Sequence, residues 1–179
     1  MNKGISSVFP GQPVREVWWY APEMLPAVVQ TTDYTLAHFR RHGLDAQKAA
    51  GSDVSRWQDA ILYGEDPPPL HILTAESFLR YHWGPAEDRQ EQIAYLADLS
   101  RRRNVEIRLQ QFIDGPAVPL QAGAAVRFPS GTTLFTLTGE TDDPGIAGSY
   151  VKAFGEACDA ALSPEDTTRL LDKLSKDTG

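Results

Sequence analysis

Residues 85–110 read PAEDRQEQIAYLADLSRRRNVEIRLQ, and their patterning decides the fold class. The first part predicts a helix opening at Pro85. Glu87 and Asp88 lie at its positive start, Ile93, Leu96 and Leu99 recur at helical spacing as a buried stripe, and Arg101-Arg102-Arg103 stand at its negative end. The second part, Val105 to Gln110, alternates apolar with polar residues without exception. That is the pattern of a strand with one face on a core and one in water.

Working upstream, Leu70 to Thr74 predicts a short strand entered from Pro67-Pro68-Pro69, and Ala75 to Trp83 fits either a short helix or a continuation of that strand. Ser52 and Asp53 suit the N-cap of a helix carrying Val54, Trp57, Ile61 and Leu62. Pro26 opens an earlier helix through about Arg41, with Val28, Val29, Leu36 and Phe39 largely on one side, and Gly43 stops it. Val17 to Ala21 is rich in residues that favour a pleated surface and is ended by Pro22, so it reads as a strand. Residues 1–14, with Pro10, Gly11 and Pro13, read as an irregular arm.

Downstream, Ala124–Phe128 and Thr132–Thr138 bracket Pro129-Ser130-Gly131 as a hairpin. Two helices close the chain. The first carries Val151, Phe154, Cys158 and Leu162, and the second opens on Ser163-Pro164-Glu165-Asp166, an N-cap followed by proline and acids. This order predicts an α/β domain over residues 15–179, with a mixed sheet of about five strands and helices packed on its faces.

Bulk properties narrow the function classes. No run approaches the roughly 20 apolar residues of a membrane span, and the first residues carry no secretory signal, so a cytoplasmic chain with no membrane partner is expected. One cysteine, Cys158, excludes an internal disulfide. A net charge of −7 repels polyanions and argues against direct nucleic-acid binding. The phosphate-cradling and nucleophile-elbow glycine patterns are absent, so no cofactor is expected. His38 and His42 have the spacing of a helical metal pair, but Phe39 follows where a glutamate is required and Arg40 and Arg41 oppose a dication, so no metal is expected.

Three groups of residues invite a functional reading. Trp18, Trp19 and Tyr20 alternate between the two sides of a strand, so one side can line a cavity, with Trp83 and Tyr81 completing an aromatic box for a planar or cationic ligand, or else all serve core packing. Gln30 and Tyr34 stand four apart on the first helix. They serve either as polar specificity groups in an apolar pocket or as a buried polar pair satisfied by backbone. Glu76, Arg80 and His82 supply an acid, a fixed cation and an imidazole suited to proton transfer if they share a cleft. Glu76 and Arg80 alone suit an exposed helical ion pair.

The segment from Trp19 to Tyr34, WYAPEMLPAVVQTTDY, resembles the W-x-P-x-x-V-P-G-L-L-Q-T-x-x-Y-A signature of a domain of unknown function. That domain forms the C-terminal part of actinobacterial antitoxin-like helix-turn-helix regulators. Pro68 to Arg80, Gln92 to Leu96 with Asn104 to Leu109, and Ala161 to Glu165 extend the resemblance. It implies an intracellular domain tied to a gene regulator, sensing a ligand or small protein, with no established catalytic residues. Three features depart from the family. Ala27 replaces its glycine and Val28-Val29 its leucine pair; its acidic residue in the late strand gives way to apolar or hydroxyl residues near Leu134 to Thr138; and fourteen residues precede Arg15, too few for a DNA-reading unit.

The resulting expectation is a small-molecule-binding protein with a pocket between sheet and first helix, lined by Trp18, Tyr20, Gln30, Tyr34, Arg80 and Trp83. The alternatives are a cofactor-free enzyme of specialised metabolism using Glu76 or His82, and an antitoxin-like module bound to a small companion protein. A homodimer is left open.

Overall fold

The computed structural model describes residues 13–41, 43, 58–81, 84–112 and 120–176. Six strands form one mixed sheet: β1 (Glu16–Ala21), β2 (Leu70–Ala75), β3 (Val105–Gln110), β4 (Gly123–Phe128), β5 (Gly131–Thr136) and β6 (Gly139–Thr141), in the spatial order β3-β2-β1-β4-β5-β6. β1, β2 and β3 are parallel, while β4, β5 and β6 join β1 as an antiparallel meander. The helices are α1 (Thr32–Arg41), α2 (Ser77–Arg80), α3 (Ala86–Leu99), α4 (Pro144–Asp159) and α5 (Pro164–Lys176). The α/β class, the β4–β5 hairpin and the placement of α3 and β3 follow the sequence reading. The sixth strand is new: the chain reverses at Leu137-Thr138, and Gly139 adopts φ +147°, which starts β6 three residues long.

Alternation divides the sheet into two unlike faces. Val17, Leu70, Ile72, Val105, Ile107, Leu109, Val126 and Phe135 belong to one core, together with Ile93, Leu96 and Leu99 of α3 and Leu171 of α5. The opposite face presents Trp18, Tyr20, Leu73, Ala125 and Leu134 to Ala147, Tyr150, Phe154 and Ala157 of α4. Phe154 lies on the expected stripe of α4, whereas Val151 and Cys158 are only partly buried at its margin.

Helix ends are satisfied as their sequences foretell. Ser163 Oγ accepts from Asp166 N at 3.1 Å and donates to Asp166 Oδ2 at 2.7 Å, starting α5. Arg101 donates to Ala97 O at 2.8 Å and Arg102 to Leu62 O at 2.6 Å, so the arginine run feeds free carbonyls near the end of α3. Past α4 the chain rounds the edge of the sheet. Leu162 N donates to Leu109 O at 3.0 Å and Leu109 N donates to Thr167 Oγ1 at 3.3 Å, which blunts the outer strand.

The expected helix from Pro26 to Arg41 is broken. A 3-10 turn over Ala27–Val29 gives way to extended backbone at Gln30, and α1 starts afresh at Thr32. Thr31 Oγ1 accepts from Tyr34 N at 3.2 Å, and buried Gln92 bridges the gap by donating to Val29 O at 2.8 Å while accepting from Thr31 N at 2.7 Å. The β-branched Val28-Val29 pair and a capping threonine favour the restart. Of the proposed second helix, Val54 and Trp57 lie outside the described residues. Ile61 and Leu62 are buried on a π-helical turn, Asp59–Tyr63.

Candidate ligand-binding site

The sheet separates the residues expected to share one pocket. Gln30 and Tyr34 are buried on the α3 side, whereas Trp18 and Tyr20 point to the α4 side. Both ends of the Gln30 amide are spent on the broken helix: Nε2 donates to Leu25 O at 2.6 Å, and Oε1 accepts from Thr35 Oγ1 at 2.8 Å. Tyr34 packs among the aliphatic core residues. Gln30 and Tyr34 therefore serve the fold at this place.

Trp18 is a platform. The His71 ring stacks on it with centroids 6.1 Å apart, and the Arg127 guanidinium lies 4.6 Å from its centroid. Glu16 links these groups, accepting from Arg127 Nη1 at 2.8 Å and meeting His71 Nε2 at 3.2 Å. Glu106 stands 3.5 Å from His71 Nδ1. Tyr20 donates to Gln110 Oε1 at 3.3 Å, and Tyr150 donates to Gly123 O at 2.7 Å. Burial raises the pKa of both phenols and keeps them protonated.

Of the candidate acid–base group, Glu76 and Arg80 lie among the described residues. Glu76 is 3.8 Å from Arg80 Nη2; the Arg80 side chain is 71% exposed and the Glu76 side chain 14%. His82 and Trp83 lie outside the described residues, as does His42. Burial pushes the Cys158 thiol up to about 12, so it packs as a small apolar group rather than a thiolate. No group of three or more histidine, cysteine or acidic side chains suited to a metal exists among the described residues.

A hollow does open at the carboxyl end of β1, beside β4 and β5, with a volume of about 390 Å³. Its origin lies in one row of the sheet. Trp19, Ala124 and Phe135 are cross-strand neighbours, so a methyl group lies between two large rings. Met24, just after β1, and Leu137, on the β5–β6 turn, complete the apolar walls at 38% and 81% exposure. Among the described residues, Glu23 is the one charged side chain in the lining. Gly123 permits the close approach of β4 to β5: a Cβ there would collide with the Phe135 carbonyl oxygen. Here the chain leaves β1 for β2 on one side while antiparallel β4 closes the other. This is the kind of strand-end crevice where α/β sheets hold ligands.

Among the described residues of the anticipated lining, only Tyr20 borders this hollow. Trp19 belongs to the same aromatic run but not to that lining, and Met24, Phe135 and Leu137 were missed. The signal was available in the alternation of Trp18, Trp19 and Tyr20, since choosing Trp18 with Tyr20 commits to the face that α4 covers.

The family described as "Domain of unknown function (DUF5753)" matches residues 12–173. The chain belongs to that family. No curated protein and no solved structure matches it. This DUF5753 domain thus joins a mixed sheet to an apolar strand-end cleft. No helix among its described residues is long and apolar enough to cross a membrane.

Proposed function

We propose that this DUF5753 domain is a sensor that binds a small, mainly apolar and planar organic molecule in the cleft between the ends of β1, β4 and β5. The observation that carries this reading is the Trp19–Ala124–Phe135 row under a roughly 390 Å³ hollow, a volume within the usual range for small-molecule sites. Trp19 and the exposed apolar walls Met24 and Leu137 would flank a flat ligand, and Glu23 at the rim would orient a donor group on it. The resemblance of Trp19 to Tyr34 to the effector part of gene regulators supports sensing rather than turnover as the outcome.

Titration with 2-naphthol, followed by tryptophan fluorescence, tests the reading. Saturable quenching is expected in the native chain, weakened about tenfold or more by Trp19→Ala. Trp18→Phe is expected to leave the affinity unchanged. Equal binding by native protein and Trp19→Ala overturns the assignment of the cleft. A stable complex with a small companion protein that covers Met24 and Leu137, without quenching by any planar molecule, supports the interaction-module alternative instead.

A further inference from the structure

A second hollow, also about 390 Å³, lies at the opposite end of the sheet, between the start of α4 and the β4–β5 hairpin. It owes its space to small residues. Ala147 and Gly148 face it from α4, and a Cβ added at Gly148 would meet nothing within 4 Å. The hairpin turns at Gly131, where φ is +142°.

Its chemistry differs from that of the carboxyl-end cleft. Arg127 forms one side, with its guanidinium already oriented by the Trp18 ring beneath it and by Glu16, which takes one Nη1 proton. The fork retains further N–H donors for a ligand. Ser130 and Thr132 add hydroxyls, and Asp142 adds a carboxylate. Among the described residues, none gives the Asp142 carboxylate or these two hydroxyls a hydrogen-bond partner. The first amides of α4 are not the anion anchor, because Asp143 Oδ1 already accepts from Gly145 N at 2.8 Å and Ile146 N at 2.9 Å.

The register sets the backbone spacing of the two residues. Arg127 pairs with Thr132 across β4 and β5, and Leu134 pairs with Thr141 across β5 and β6. Arg127 and Asp142 therefore flank β5 from either side, about two strand spacings or roughly 10 Å apart at the backbone, and the guanidinium leans from there towards β1, over Trp18. Ala147 and Val151 supply an apolar wall beside them.

We propose that this amino-end hollow is a second binding site, for a small zwitterion whose carboxylate meets Arg127 and whose ammonium group meets Asp142, with an apolar body against α4. A purely anionic ligand would face Asp142 and the net charge of −7 without compensation, whereas a zwitterion satisfies both charges.

Three probes that share one ring test this: 4-(aminomethyl)benzoate, benzoate and benzylamine, each titrated into the full chain and followed by amide chemical shifts. The zwitterion is expected to bind about tenfold or more tighter than either singly charged probe and to shift Gly131, Thr132 and Gly148. Arg127→Gln and Asp142→Asn are each expected to remove that advantage. Gly148→Leu, which fills the space while improving the helix, is expected to abolish binding. Trp19→Ala leaves this binding unchanged, which separates it from the carboxyl-end cleft. Equal affinity for all three probes, or unaltered binding of the zwitterion to Arg127→Gln and Gly148→Leu, overturns the proposal.

Discussion

The parallel and antiparallel halves of the sheet are built to different ends. In the parallel half, Leu70, Ile72, Val105, Ile107 and Leu109 meet Ile93, Leu96 and Leu99 of α3 and Leu171 of α5, and large aliphatic groups fill the space between layers. In the antiparallel half β4 reads Gly123-Ala124-Ala125-Val126, and α4 offers Ala147 and Gly148 over the hairpin. Both hollows lie there. Around these two hollows Gly123 of β4 and Ala147 and Gly148 of α4 stand where the parallel half carries large aliphatic groups. The topology places those small residues beside the ends of β1.

The largest effects are expected from truncation in the filled half. Leu96→Ala or Ile107→Ala, at sites with 0% and 1% exposure, should cost about 2–5 kcal/mol in urea unfolding, because their neighbours have little room to close the gap. A cost below about 1 kcal/mol would break the contrast. Next, Gly123→Ala should lose about 1–3 kcal/mol, since the added methyl forces β4 from the Phe135 carbonyl. Gly148→Ala is expected to move the other way. Its Cβ meets open space within a helix, so the variant should gain about 0.5–1 kcal/mol, and destabilisation there would show that the hollow is not empty.

A smaller effect concerns Cys158. Burial raises its folded pKa from the ordinary 9.0 to about 12, so the stability tied to the neutral thiol is present below pH 9 and lost as pH rises from 9 towards 12. Cys158→Ala should flatten this part of the alkaline unfolding curve. At pH 8 the native thiol should react with iodoacetamide far more slowly than in urea, and matching rates would contradict the assigned environment.

Local chemistry explains which parts of the fold were legible. α3, β3, the β4–β5 hairpin and the start of α5 depend on nearby residues: alternation in Val105 to Gln110, a glycine turn, and the Ser163–Asp166 cap. The break at Gln30-Thr31 depends on Gln92, about sixty residues away in sequence, which accepts from one side of the gap and donates to the other. No local pattern announces such a bridge. β6 has no sequence expectation, and its neighbour is read two residues too long, because nothing in Thr136-Leu137-Thr138 marks a turn except Gly139 just beyond it. The cleft was obscured for another reason. The adjacent aromatics Trp18, Trp19 and Tyr20 alternate between faces, and which face α4 covers is a tertiary fact.

The most direct test of the carboxyl-end cleft is an amide chemical-shift titration with 2-naphthol. Saturable shifts are expected at Ala21, Met24, Gly123, Thr136 and Leu137, with Gln30 and Tyr34 unmoved. Shifts centred on Gln30, Tyr34 and Leu25, with the β1, β4 and β5 ends silent, would contradict the cleft assignment.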